Sequence, residues 1–482
     1  MTTATPPPDA PPRPTWRDEH VAGFGMSVGG PGRVFRPTGV EQIADAFADV
    51  RAQGGTLALR GAGCSYGDAS TNQGGHVLDL TGMNRIRSFD PQSGLAVCEP
   101  GVTVRDLWRT SIGYGYWPRV VSGTMQVTMG GAAAMNIHGK NNYRLGSFGE
   151  GVRSFELMTP KGELVRCSRD QNSDLFHAAI GGFGMLGCFT SLEIETKRVH
   201  SGRMRVWGIV ARDLDHNFEI LEDLHDKADY LVSWVDLHAK GAGLGRGLMH
   251  RADQMQPGED PDGLRFFDAS LQDVPTTLFG VLPKGWLWPG MWCAVAFGQV
   301  GLVNALKFHA GFREERSSPY LQTHGAFHFL LDYVPRWQWM TKPGGLIQFQ
   351  PFLPKAEAPR VLRKLVELCQ QRGHVPYLGV LKKHKPDPFL MTHALDGYSM
   401  AMDICVSKRT SRRDSLWRLC REMADLVLDA GGRFYYAKDA VLTESSFPRV
   451  HGDAAVGAFR ALKQEWDPDG FFQTDLSRRM GV

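Results

Sequence analysis

The sequence has no C-x-x-C pair. Its eight cysteines (Cys64, Cys98, Cys167, Cys188, Cys293, Cys369, Cys405 and Cys420) are scattered, which excludes a zinc ribbon or a thioredoxin-like redox motif and reads as buried free thiols in a reducing compartment. It has no charge excess either: 54 Lys and Arg against 51 Asp and Glu leave a formal charge of +3. A general nucleic-acid binder normally carries a basic surplus. Long apolar runs are also missing. The most apolar stretch, "MWCAVAFGQVGLVNAL", is broken by Gly and Gln and is short for a bilayer. The opening "MTTATPPPDAPPRPTW" shows neither an apolar h-region nor twin arginines, so residues 1–15 are expected to be a disordered lead-in and the location cytoplasmic. No internal repeat, no metal-ligand cluster and no G-x-x-x-x-G-K-[ST] phosphate loop is present.

Glycine is abundant, at 56 residues, and many of them fall in the N-terminal third, where tight backbone approach to a ligand explains them. A chain of 482 residues is too long for one ordinary core and predicts two domains. Residues 17–35 read as irregular. "TGVEQIADAFADVRAQGG" predicts an amphipathic helix with Val40, Ile43, Ala44 and Phe47 on one face. Strands follow in "TLALRGAG", "HVLDL", "LAVCEP" and "CFTSLEIETKRV", a hairpin in "LMTPKGELVRCS", and a helix capped by Ser173 in "SDLFHAAIGGFG". From about residue 199 predicted strands such as "GLIQFQPFLP" and "YSMAMDICVS" alternate with helices such as "APRVLRKLVELCQQRG". This predicts an antiparallel sheet with helices on one face.

Two glycine-rich loops carry the chemistry. "LRGAGCSYGDAS", residues 59–70, follows a strand but does not start a helix. Its pattern is that of a nest, backbone N–H groups around Gly61, Ala62 and Gly63 turned toward an anion, with Ser65 adding a hydroxyl. The second loop, "SGTMQVTMGGAAAMNIHGKN", lets small residues at Gly130–Ala134 lie against a planar ring. The literal G-x-G-x-x-G at Gly182–Gly187 follows a helix and precedes a strand, the reverse of the dinucleotide-binding context, and reads as a plain turn.

These strings, together with "GSFGEGVRSFELMTPKGELV" and "SDLFHAAIGGFGMLG", resemble the FAD-binding domain of the vanillyl-alcohol-oxidase-type (PCMH-type) flavoproteins. Within that family "NIHGKN", "LIQFQ", "FYYAKD" and "DLSRRM" look most like a branch of sugar oxidases. The resemblance implies an α+β fold: a two-lobed FAD domain over 16–198, an inserted substrate domain over 199–432, and a C-terminal segment, 433–482, returning to the FAD domain. It implies Arg60, Gly61, Ala62, Gly63, Cys64, Ser65 and Tyr66 in the pyrophosphate loop. Gly123, Thr124, Thr128, Met129, Gly130, Gly131, His138 and Tyr435 would complete the FAD site. Many members place a histidine at the Cys64 position and bind the flavin covalently through it; their second attachment point, a cysteine, is Met125 here. Noncovalent FAD is the expectation.

For the reacting end, the match of "YYAKD" points to Lys438, which can hold the substrate oxygen or accept its proton once desolvated; the alternative is a surface lysine paired with Asp439. His138 contacts flavin, contacts substrate, or satisfies core backbone. Gln348 and Gln350 share one strand face, which suits recognition of sugar hydroxyls, against the alternative of an exposed polar face. The resemblance adds Lys382 and Tyr66 near the sugar and His328 at an aromatic position of the substrate domain. Ala401 stands where the branch has a cysteine. Three activities follow: oxidation of a hydroxyl on a polyprenyl-phosphate-linked pentose, with at most peripheral contact to the inner membrane; oxidation of a soluble alditol, sugar or aldonolactone; or the flavoprotein half of an epimerase with a short-chain reductase partner.

Overall fold

A computed structural model describes residues 14–278 and 282–482. Most of the expected lead-in, 1–13, and residues 279–281 lie outside the described residues.

Three sheets organise the chain. The first has four strands in the order Arg17–Ala22, Gly29–Phe35, His76–Asp79, Leu57–Arg60, with the last three mutually parallel. Two of these strands occupy the segment read as irregular. The alternation is there, but the buried face of Gly29–Phe35 is Gly30, Gly32 and Val34, so the period-2 signal carries almost no apolar side chain. Helix Val40–Ala52 covers this sheet, burying Ile43, Ala46, Phe47 and Val50. Val40 and Ala44 sit at the margin of that face.

The second sheet runs Ile86–Phe89, Leu95–Cys98, Cys188–Arg198, Val152–Met158, Leu164–Ser168, with Tyr116–Pro118 pairing the far end of the central strand. The hairpin turn at Gly162 has φ +86, a conformation favouring glycine. The helix after it begins at Ser173, but Asn172 is the capping residue, and its side chain donates to Arg166 O at 2.8 Å rather than capping the helix. Ser173 Oγ faces His177 Nδ1 instead, at 3.4 Å. The Gly182–Gly187 stretch turns from that helix into Cys188–Arg198.

The third sheet has nine strands, all paired antiparallel, drawn from Arg203–Ala211 through Arg433–Phe434. Its central strand, Gly397–Cys405, pairs with Leu378–His384 on one side and with Leu346–Phe349 and Pro351–Pro354 on the other. Tyr398, Met400, Met402 and Ile404 point into the core under helices Leu214–Leu224, Ala358–Arg372 and Thr410–Asp429. Ser399, Ala401 and Asp403 point the other way. Helix Val300–Ser317 packs on part of that opposite face, through Phe308 against Val210, Trp234 and Leu248.

Glu222 anchors the helical side. Its carboxylate pairs with Lys355, Lys383 and the Tyr398 hydroxyl. Burial opposes its ionisation, yet the hydrogen bonds from those partners outweigh it and bring the group from 4.5 down to about 2. A depressed acid stabilises the fold above its unfolded value and loses that contribution as pH falls toward about 2. Glu222→Gln is therefore expected to cost about 2 kcal/mol at pH 7, because buried Lys383 loses its counter-charge. Urea melts at pH 7 and pH 3 check this; the gap between variant and parent should shrink at the lower pH.

The C-terminal segment closes back on the first sheet. Leu57 N donates to Phe471 O at 2.9 Å and Gln473 N to Leu57 O at 3.0 Å. Arg479 bridges Asp68 and Asp439, so the helix Asp475–Met480 ties the glycine loop to the segment bearing Lys438.

Candidate flavin and substrate site

Strand Leu57–Arg60 delivers the chain into a loop held on two sides. A Cβ on Gly61 would fall 2.1 Å from Thr128 Oγ1, so the two glycine-rich loops meet at this point. On the other side Tyr66 N donates to Ala437 O at 2.7 Å, and a Cβ on Gly67 would fall 1.8 Å from Asp439 O. Gly63 adopts φ +66 and lies against the Arg60 guanidinium, which folds back to bond Ser70 and Ala22 O. A cavity of about 220 Å³ opens beside the loop, lined by Arg36, Arg60, Gly61, Ala62, Asp79 and Thr81. Gly61 and Ala62 bring bare backbone to its wall and Arg60 brings positive charge, while Arg36 in the same lining is paired with Glu19 and Asp79. That combination fits an anionic cofactor.

The second loop is pinned by Asp332, which accepts from Thr124 Oγ1 at 2.8 Å and from Met125 N at 2.7 Å. Leu331 N donates to Gly123 O at 3.1 Å. The Gly130–Ala134 run does not lie flat as a loop. Thr128 caps a helix, Met129–Ala134, accepting from Gly131 N. Gly130 there packs against Pro100, 2.8 Å from where a Cβ would stand. Small residues serve close packing of this helix. The loop continues to His138, whose Nε2 meets Gln350 Nε2 at 3.0 Å and whose ring lies edge-on to Tyr435 at 5.1 Å. With the Gln350 amide donating, the ring proton sits on Nδ1, buried and without a protein partner. This orphan donor suits a polar heterocycle edge. Burial, then Lys382, hold His138 well below the ordinary histidine range, so it acts as a neutral ring.

Lys438 lies across from these loops, its Nζ 3.6 Å from the centroid of Tyr66. Asp439 is turned to Arg479, which removes the surface-pair alternative. Burial brings the Lys438 amine down to about 8, with Asp403 and Cys64 pulling back up. Burial pushes the Cys64 thiol up to about 11, so it is a protonated, weakly nucleophilic group. With Met125 buried on the opposite loop, acid precipitation of the purified protein is expected to leave the yellow chromophore in the supernatant; a yellow pellet would refute a noncovalent cofactor.

The floor of this site is the face of the third sheet that carries Ser399, Ala401 and Asp403. Lys382 stands opposite Ser399 and Gln348 opposite Asp403. Burial, then the Lys438 charge, bring Lys382 down to about 7. The two glutamines are both engaged: Gln348 Nε2 donates to Asp403 Oδ1, and Gln350 reaches His138 and Ser399. His384 bonds Ser399 Oγ at 2.7 Å, and His393 stacks against Tyr435 at 4.6 Å. His328 is buried, stacked on Trp117 and His324 with Tyr230 edge-on to it, and its carbonyl oxygen lies 3.3 Å from Lys140 Nζ. Cys293 is exposed, unlike the buried thiols expected.

Sequence reasoning passed over Asp403, Lys140, Asp332, Ser399, His384 and His393. An acid in the apolar strand "YSMAMDICVS" is the clearest signal that was available. Lys140, in "NIHGKN", is buried with Nζ on Phe327 O and over the Phe327 ring.

Residues 31–168 match the family described as "FAD binding domain". Joined to the two-loop geometry, this makes the chain an FAD-dependent oxidoreductase with a PCMH-type FAD-binding domain. Among curated proteins it is similar to decaprenylphosphoryl-beta-D-ribose oxidase of Mycolicibacterium smegmatis, 29% identical over 96% of this chain and 97% of that one. It is also similar to L-gulono-1,4-lactone dehydrogenase of Mycobacterium tuberculosis, 25% identical over 95% and 97%, and to cytokinin dehydrogenase 9 of Oryza sativa, 28% identical over 44% and 42%.

Proposed function

We propose that the protein oxidises a hydroxyl of a pentose carried on a polyprenyl phosphate to a ketone. The observation that carries this is the Lys438 amine, held over Tyr66 and facing a sheet floor with Lys382, Ser399 and Asp403. When bound, FAD supplies the hydride acceptor. Lys438 takes the hydroxyl proton in its neutral form, and Lys382 and the Ser399–His384 pair hold neighbouring sugar oxygens. The lipid part of the reading rests on what lies next to Tyr66. Its cluster with Trp337 and Met340 continues into Met291 and Val295 of helix Leu287–Ala296. That helix and Val300–Ser317, bent 116° from it, expose Trp286, Phe297, Leu302 and Leu306, at 76%, 71%, 58% and 64% of their surface. Apolar patches of this kind mark contact with lipid or another apolar partner. No single described helix is long and apolar enough to cross a membrane; peripheral contact of this pair with a bilayer belongs to the same proposal. The name of the ribose oxidase relative supports the substrate class.

Anaerobic bleaching of the holoenzyme tests it. Polyprenylphosphoryl ribose should bleach the flavin, and gulonolactone should not. The opposite result would favour the aldonolactone reading, and bleaching by neither would overturn both. Co-purification of a short-chain reductase that returns the ketone to the inverted alcohol would place the protein in an epimerase pair.

A further inference from the structure

Asp403 is 1% exposed at the centre of the nine-stranded sheet. Its Oδ1 accepts from Gln348, and the Tyr377 hydroxyl faces the same carboxylate. Tyr377, whose N donates to Asp403 O at 2.9 Å, packs in one cluster with Tyr66, the ring under Lys438, and the Tyr66 hydroxyl is buried without a hydrogen-bond partner. A buried carboxylate is costly unless donors and an opposite charge compensate it, and the cation over the Tyr66 ring is Lys438. Asp403 is the one carboxylate whose charge acts on Lys438.

We propose that Asp403 is the buried counter-charge of Lys438, a positioning residue that sets the pH at which the amine takes the substrate proton. The proposal rests on Lys438 being the base. The groups facing the pair are Tyr66 and Cys64 from the glycine loop, Lys382 and Tyr377 at the adjacent strand, Cys405 two residues along, and His138 from the second loop. Of these Lys382 opposes a charge on Lys438, His138 is a neutral ring, and the tyrosines and thiols stay protonated at pH 7. Asp403 therefore supplies the stabilising charge. Its own carboxyl is pushed by burial up to about 6, so the pair is fully ionised only between about 6 and 8.

The test is a pH titration of the bound flavin's visible spectrum in substrate-free holoenzyme, alongside the pH profile of anaerobic bleaching. Asp403→Asn, which keeps an oxygen for Gln348, should move the Lys438 midpoint down by about one pH unit in both readouts, with flavin content unchanged. In a Lys438→Met background the same substitution should move nothing. If Asp403→Asn yields no holoenzyme, Tyr377→Phe, which strips a hydroxyl from beside the same carboxylate, should raise the acid-side break of the spectral titration. An unmoved midpoint in folded Asp403→Asn, or an unmoved acid-side break in Tyr377→Phe, overturns the proposal. Because the spectral arm uses no substrate, it stands or falls separately from the choice of sugar.

Discussion

Lys438→Met should lower the anaerobic bleaching rate by roughly 10³-fold, the usual worth of a positioned general base, while the purified protein stays yellow. Among the described residues the amine makes no hydrogen bond to the loops that cradle the cofactor; its contact is the Tyr66 ring, and methionine fills the same volume without charge. Lys438→Arg should be equally slow, because a guanidinium stays protonated across the accessible pH range. The pH profile carries the sign. With the amine near 8, the parent's rate should climb about tenfold per unit from pH 6 toward 8 and level off above it, whereas Lys438→Met should lack that limb. A parent rate that falls as pH rises would mean the charged amine is needed, making Lys438 a hydrogen-bond donor to substrate. Bleaching at parental rate in Lys438→Met would remove it from the mechanism.

The cofactor end of this site was legible because backbone geometry writes itself in glycine. Gly67 stands where a side chain would strike the backbone of Asp439, Gly61 where it would meet Thr128 Oγ1, and Gly63 takes a positive φ against the Arg60 guanidinium. Lys438 was legible only through the resemblance of "YYAKD", since a single lysine in a loop has no spacing to read. Asp403 was hidden for the opposite reason. It sits in a strand whose core-facing residues give a clear period, and the period says nothing about what the other face meets across the sheet. The glutamines show the same limit. Their shared face was correct, yet Gln348 spends its amide on Asp403, a partner 55 residues away. The strands of 17–35 were missed because Arg17–Ala22 buries only Val21 and glycines line most of the buried face of Gly29–Phe35.

Gly67→Ala should be among the most damaging single methyls in the protein. The added carbon would lie 1.8 Å from the Asp439 carbonyl oxygen and 2.8 Å from its carbon, far inside contact. Asp439 cannot yield: its carboxylate accepts from Val441 N at 2.9 Å and Leu442 N at 3.1 Å and pairs with Arg479. The loop has to retreat instead, breaking the Tyr66 N to Ala437 O bond and drawing the Tyr66 ring from under Lys438. We expect about 3 kcal/mol of lost stability and a protein recovered largely without flavin, read as the ratio of visible to ultraviolet absorbance. Gly61→Ala is the milder comparison. Its obstacle is Thr128 Oγ1, which can rotate away at the loss of a helix cap worth about 1 kcal/mol. It should retain its fold while binding FAD more weakly, and added FAD should restore its colour. If Gly67→Ala keeps full flavin and parental bleaching, the loop and the Lys438 segment are not the single rigid unit that their interlocked backbones describe.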